Sequence, residues 1–204
     1  LSATVSNADQ LCSWIAKVHG PTELINSDNR PVPLDFIFCS SKGLHPLLNN
    51  KKNGIHPNCK VWRSPKGQNR KSKVGRIKQP SAPSIAFVVS KLYERNMLPA
   101  IYFIFSRKGC ERALESVRDL SLVNYAESNL ISQRLDVYIK NNRDGIKYKL
   151  QFDALKRGIA SHHAGLLPAW KELVEELFQN GLLKVVFATE TLAAGINMPA
   201  RTTI

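Results

Sequence analysis

The chain has 204 residues, a mass of 22.8 kDa and 43% hydrophobic residues, enough for one large or two small domains with a buried core. No apolar run approaches the roughly 18 residues of a membrane-spanning helix, since the longest candidates are Ile85 to Val89 and Leu98 to Phe105, so no membrane partner is expected. The net charge of +13 is concentrated: Lys42 to Lys78 holds eleven Lys or Arg and no acidic residue, and the rest of the chain carries 18 basic against 16 acidic residues.

The first residue is Leu and the last is the apolar Ile204, so both ends read as cuts inside a longer protein, with any targeting peptide outside this window. Leu11, Trp14, Ile15 and Val18 fall at helical spacing within Asn7 to Val18, with Ser6 or Asn7 placed to cap the helix and Gly20-Pro21 to end it. Glu23 to Ile25 and Leu34 to Phe38 read as short strands around the turn-forming Ser27-Asp28-Asn29-Arg30 and the stiff Pro31-Val32-Pro33.

Residues 41–84 are rich in Gly, Pro, Asn, Lys and Ser and show little periodicity, so they read as a basic, flexible insertion with few buried contacts. Such a stretch attracts phosphate backbones through counterion release, and its Asn58, Trp62, Gln68 and Asn69 can reach bases or sugars. A solvated loop that merely confers solubility explains the same composition. His56-x-x-Cys59, with Cys39 and His45 upstream, has the outline of half a metal site. It is read as loop, and no metal is expected. The four cysteines, Cys12, Cys39, Cys59 and Cys110, form no Cys-x-x-Cys pair, which points to reduced thiols in an intracellular compartment.

Order returns with a helix over Ser84 to Asn96 and a compact apolar run, Ala100 to Phe105, that suits a central parallel strand. A helix follows from Arg107, capped by Ser106, with Cys110, Ala113, Leu114 and Val117 on one face. Ser121 to Arg157 reads as further helix, its apolar face formed by Leu130, Ile131, Leu135, Tyr138 and Ile139. Ile159 to His162 then reads as a strand. Pro168 opens a helix carrying Trp170, Leu173, Val174, Leu177 and Phe178 on one stripe, Gly181 closes it, and Lys184 to Thr189 is a buried strand. Strand, helix and strand in alternation imply an α/β fold, a parallel sheet with helices on both faces and ligands outside the carboxyl ends of the strands.

The segments at those strand ends carry a resemblance. Leu1-Ser2-Ala3-Thr4 resembles helicase motif III, and Phe103-Ile104-Phe105-Ser106-Arg107-Lys108 with Cys110-Glu111 resembles motif IV. Ser161-His162-His163-Ala164-Gly165-Leu166-Leu167-Pro168 is more specific, and Phe187 to Arg201 is similar to motif V almost residue for residue. In this order they resemble superfamily-two helicases, most closely the superkiller-like branch of DExH-box RNA helicases. Arg30-Pro31-Val32-Pro33-Leu34 resembles the passage between the two RecA-like domains, while Asn96 to Ala100 and Ala193 to Asn197 are similar to the plant plastid and cyanobacterial members.

The resemblance implies a RecA-like fold. Residues 1–40 would be the end of the first RecA-like domain and the coupling segment, and 85–204 the second RecA-like domain, truncated before motif VI. It further implies ATP with Mg2+, bound mainly by the first domain, RNA as substrate, partners in RNA processing or degradation, and a plastid or cyanobacterial location. A helicase grips a strand by its backbone without reading sequence, which calls for phosphate ligands at helix starts. Ser106, Arg107 and the amides after them suit this, although Ser106 can equally be a cap alone.

His163 and Gly165 follow a strand, where a small residue admits RNA and an imidazole can bond phosphate or ribose. Adjacent histidines can also be packing residues, His162 inward and His163 outward. The resemblance puts Thr189 toward RNA, Gly195 and Asn197 toward the nucleotide, and Ser2 and Thr4 in coupling between the lobes. Glu190 would orient a basic neighbour such as Arg201, which can also be a plain surface arginine, or bond across the cleft.

The 204 residues contain no Gly-x-x-x-x-Gly-Lys-Ser/Thr loop, no Asp-Glu-x-His and no arginine-rich motif VI, so the chain by itself is expected neither to hydrolyse ATP nor to unwind RNA. Three other readings compete. One is a DNA helicase of a related branch and one a non-catalytic nucleic-acid-binding module. The third is a hydrolase using Cys110 with His163 and Glu111, against which stands the apolar helical face that carries Cys110.

Overall fold

A computed structural model describes residues 7–27, 32–49, 51, 53–62, 82–142, 149–189 and 198–204. The chain divides into two compact units, Leu1–Phe36 and Ile37–Ile204. The first contains helix α1, Ala8–His19, as the spacing of its apolar residues requires. Asn7 occupies the cap position without a side-chain cap bond, and Gly20 ends the helix at φ 104°. Glu23 to Ile25 form no strand, a departure from the expectation: their two apolar residues, Leu24 and Ile25, have no partner strand among the described residues to bond their backbone.

The second unit opens with an antiparallel hairpin of β1, Ile37–Ser40, and β2, Gly43–Pro46, paired from Ile37↔Pro46 to Ser40↔Gly43. Its two-residue turn is followed by Gly43 at φ 119°, a conformation that favours glycine. Leu44 is buried against Val88, Leu92 and Ala100, and the thiol of Cys59, within a 3-10 helix over Pro57–Trp62, donates to the Pro46 carbonyl at 3.4 Å. The expectation of few buried contacts after residue 41 therefore fails for these two side chains. The apolar residues around them, Leu47-Leu48 and Val61-Trp62, fall at no helical or alternating spacing and so give no periodic signal. The expected strand over Leu34 to Phe38 starts at Ile37 and belongs to this hairpin. Residues 63–81, which carry much of the basic charge, lie outside the described residues.

Helix α2, Ile85–Glu94, starts at Ser84, whose hydroxyl accepts from the Phe87 amide at 3.2 Å. There follow β3, Ala100–Phe103; α3, Arg107–Ser116; α4, Tyr125–Asn141; α5, Lys149–Lys156; β4, Ile159–His162; α6, Pro168–Gln179; β5, Val185–Ala188; and β6, Thr202–Thr203. Asn124 and Glu127 form a reciprocal capping box at the start of α4, and Glu127 also receives the Lys184 ammonium at 2.8 Å. The four-stranded sheet has the order β4-β5-β3-β6 with every pair parallel. β3 is thus a central strand, as its apolar run foretells.

Alternation along each strand sorts the core into two layers. Ile101, Ala160, Val186 and Ala188 face a cluster built from Ile131, Leu135 and Tyr138 of α4, Leu155 of α5, and the apolar stripe of α6. Tyr102, Ile159, Val185 and Phe187 face Val89 of α2 and Cys110, Ala113 and Leu114 of α3. The sheet is therefore covered on both faces, the arrangement of a RecA-like α/β domain. Trp170 anchors one layer, its ring 5.3 Å from that of Tyr138 and 5.4 Å from that of Phe152.

Gly158 makes the tight passage from α5 into β4 at φ 79°, and a Cβ there would lie 2.5 Å from Val123 Cγ1. Gly181, after α6, has φ 71° but open space around it. Gly158→Ala is expected to destabilise the fold by about 2–4 kcal/mol, left-handed strain plus overpacking. Gly181→Ala should cost only about 1 kcal/mol, the strain alone. Urea unfolding of the two variants measures the difference, and equal losses would remove the role assigned to Val123.

Candidate nucleic-acid interface

Parallel pairing continues past the formal ends of β3 and β5. The Ile104 amide donates to the Ala188 carbonyl at 2.8 Å, and the Thr189 amide to the His162 carbonyl at 3.2 Å. The turns after β4, β5 and β3 therefore leave the sheet side by side, across roughly 10 Å at the usual spacing between strands. Ser106 and Arg107, the His163–Gly165 turn, and Thr189 all lie on this one carboxyl edge.

Ser106 is extended (φ −155°, ψ 129°) and its Oγ accepts from the Gly109 amide at 3.2 Å, so it caps α3. Its hydroxyl proton stays available to an acceptor. Arg107, the first residue of α3, is exposed. Amides at this helix start and the positive end of its dipole face the same edge.

His163 departs from the outward orientation considered for it. It is only 2% exposed, and its Nδ1 accepts the Gly165 amide at 3.2 Å, which leaves the proton of the neutral ring on Nε2. Among the described residues that Nε2 has no hydrogen-bond partner. Burial pushes the imidazole below its ordinary range, Glu111 opposes the shift, and Arg107 and His162 reinforce it. The ring is therefore a neutral prop at neutral pH. Gly165 is exposed, and a Cβ on it would stand 3.1 Å from His163 Nδ1 and 3.3 Å from Arg107 Cδ. The turn, the imidazole and the arginine stem are packed against one another, with Gly165 and Arg107 outermost.

His162 is buried as well, its Nε2 2.7 Å from Glu175 Oε1 on α6. Burial lowers its pKa more than Glu175 raises it, and Lys171 lowers it further, so the fold favours the neutral form of this imidazole beside Glu175. Glu175 carries no distinctive signal in the sequence because it sits beside the apolar stripe of α6, where an acidic residue looks like ordinary solvent-facing polarity. Arg157 carries none either: its guanidinium donates to the carbonyls of Val117, Arg118 and Leu120 at the end of α3.

The remaining expected residues divide. Ser2, Thr4, Glu190, Gly195 and Asn197 lie outside the described residues. Arg201 is exposed, but its amide bonds the Pro99 carbonyl at 2.8 Å, which sets its backbone at the amino edge of β3, away from Ser106 and Thr189. The hydrolase reading loses its nucleophile. Cys110 is fully buried and burial pushes its thiol up to about 11, so little thiolate forms at neutral pH. Of the half metal site, the Cys59 thiol is engaged with Pro46 and His56 Nδ1 accepts the Asn58 amide at 3.3 Å. Among the described residues no helix is long and apolar enough to cross a membrane.

No family model matches the chain. Individual proteins do. The chain is 39% identical over 242 aligned residues to the DExH-box ATP-dependent RNA helicase DExH15, chloroplastic, of Arabidopsis thaliana, covering 100% of this chain and 20% of that protein. It is 37% identical to the probable helicase HelY of Mycobacterium leprae, covering 100% of this chain and 25% of that one. With the ATP-dependent RNA helicase mtr4 of Schizosaccharomyces pombe it shares 35% identity, again over 100% of this chain and 20% of the relative.

The chain is homologous along its whole length to superkiller-like DExH-box helicases. It spans a fifth to a quarter of the length of these relatives. Within that homology to DExH-box helicases, Ser106 and Arg107 stand in the stretch resembling motif IV and Thr189 in the one resembling motif V, and the two stretches are joined by the Ile104 to Ala188 bond.

Both histidines have folded-state pKa values below the ordinary 6.5, so the unfolded chain takes up protons first as pH falls. Their stabilising contribution is complete above that value and is lost as pH falls through 6.5 toward the lower folded values. The thermal midpoint is expected to drop between about pH 7.5 and about pH 5.5, and His162→Gln with His163→Gln should flatten that slope. Scanning calorimetry across the window checks it; an unchanged slope in the double variant would count against burial of the neutral rings.

Proposed function

We propose that this chain is part of an ATP-dependent RNA helicase and supplies the strand-gripping edge of its second RecA-like domain. The observation that carries the reading is the emergence of Ser106 with Arg107, the His163–Gly165 turn and Thr189 from three adjacent parallel strands on one edge. Names of homologues that are RNA helicases support RNA over DNA as the strand. In this reading Arg107 carries the charge toward phosphate, and Ser106 and Thr189 offer hydroxyls. Gly165 lets the backbone come close, and His163 acts through the turn that it props. The grip is to the backbone and therefore tolerant of sequence.

ATP with Mg2+ would be held mainly by a P-loop and Asp-Glu-x-His segment that these 204 residues do not contain, with Gly195 and Asn197 reaching the nucleotide from this side. Ser2 and Thr4 would couple the two lobes. Residues 1–40 then close the first RecA-like domain and lead out of it, 41–84 form a basic insertion and 85–204 the second domain. The full-length protein would act on single-stranded tails or duplexes in RNA processing or degradation, and in a plastid if it follows the Arabidopsis relative.

Two outcomes are expected. In the full-length protein, Arg107→Ala should weaken single-stranded RNA binding about tenfold and lower the slope of log affinity against log salt by about one. Thr189→Val should weaken it about threefold through loss of one hydroxyl contact. Fluorescence anisotropy at several salt concentrations reads both, and full affinity in both variants would refute the grip. Separately, the purified 204-residue chain should show no RNA-stimulated ATP hydrolysis; turnover above that of a chain lacking Phe187 to Arg201 would overturn this.

A further inference from the structure

The apolar run Ala100 to Phe105 predicts that Phe105 is buried with the rest of its strand, yet its side chain is 79% exposed. Its backbone explains why. The residue before it is held to the sheet by the Ile104 amide on the Ala188 carbonyl at 2.8 Å, and the Ser106 amide turns back onto the Ile104 carbonyl at 2.7 Å. That bond closes a three-residue turn with Phe105 at its apex. Ser106 is in turn fixed by capping α3. With both neighbours pinned, the ring is driven off the sheet at the edge where Arg107 and Lys108, both exposed, begin the next helix.

We propose that Phe105 is a stacking platform for one base of the single-stranded RNA gripped at this edge, an inference that rests on the function proposed above. A rigid aromatic beside cations matches a single strand, whose phosphates take the charge and whose bases take the ring. The exposed positions that follow it along the chain, Ser106, Arg107, Lys108 and Glu111, are all polar. The cations among them, Arg107 and Lys108, complement the phosphates of a single strand. Stacking is indifferent to base identity, so it adds affinity for single strands while leaving recognition independent of sequence. It also favours unpaired bases, because a base inside a duplex has both faces covered.

The test uses the full-length protein with labelled oligoadenylate and an abasic oligomer of equal length, in Phe105→Ala, Phe105→Leu, Phe105→Trp and Arg107→Ala variants. Phe105→Ala should weaken oligoadenylate binding about tenfold and leave both abasic binding and the salt slope unchanged. Phe105→Leu, apolar without a π face, should not restore affinity. Phe105→Trp should restore it, with indole fluorescence quenched by oligoadenylate and not by the abasic oligomer. Arg107→Ala should weaken both probes alike.

Unchanged binding in Phe105→Ala, beside a loss in Arg107→Ala, would overturn the platform while the grip stands. Unchanged binding in both would overturn the grip and the platform together. Thermal destabilisation by Phe105→Ala that Phe105→Leu repairs, with RNA affinity intact, would mean that protein covers the ring, and would overturn the proposal.

Discussion

Parallel hydrogen bonding of β4, β5 and β3 is the constraint on which the candidate interface rests. Strands running in one direction bring all their carboxyl ends to one edge, so residues separated by more than 80 positions in the chain meet there without any contact between their side chains being required. The ladder extends one residue beyond the formal ends of β3 and β5, through Ile104 to Ala188 and Thr189 to His162, and this fixes where the turns after them begin. Burial of alternate side chains in two separate layers fixes the register, because a one-residue slip of β5 would send Val185 and Phe187 into the layer shaped for Val186 and Ala188.

At that edge the chemistry is divided between supports and contacts. His162 and His163 are consecutive, yet both are buried, one bonded to Glu175 on α6 and the other to the Gly165 amide. A neutral imidazole with one nitrogen accepting is a rigid strut whose hydrogen bonding is directional. The exposed positions are left to Arg107, Ser106 and Gly165, where charge, hydroxyl and bare backbone are accessible to a ligand. Such a division keeps the contacting groups in place without desolvating the cation that would meet phosphate.

The opposite end of the domain is tied by longer-range polar contacts. Arg157 closes the carbonyl end of α3, and Lys184 joins the Glu127 capping carboxylate of α4 to the Gly181 carbonyl after α6. Lys184 holds Glu127 below the usual carboxylate range, chiefly by its hydrogen bond. These contacts connect helices on the two faces of the sheet to the loops between them, so the amino edge is stapled by charge and backbone.

Periodicity made most of the second unit legible. The stripe of α6, the capped start of α3 and the short apolar runs of β3, β4 and β5 each carry a local signal, because 3.6-residue and two-residue repeats reflect burial against a single neighbour. Motif spacing likewise marked Ser106, Arg107, Gly165 and Thr189 as edge residues, since glycine and capping residues have local reasons to stand at strand ends. Leu44, Cys59, Glu175 and Arg157 were not legible, for each acts through partners distant in sequence and none sits in a repeating pattern. Between Ser84 and Thr189 the chain's amino acids alone thus determined most of the helices and strands and that the sheet is parallel, whereas the hairpin of β1 and β2 and the short β6 carried no such signal. Only the tertiary structure decided that His163 turns inward and Phe105 outward, because those orientations depend on a bond to Gly165 and a turn between Ile104 and Ser106 that hydrophobicity does not encode.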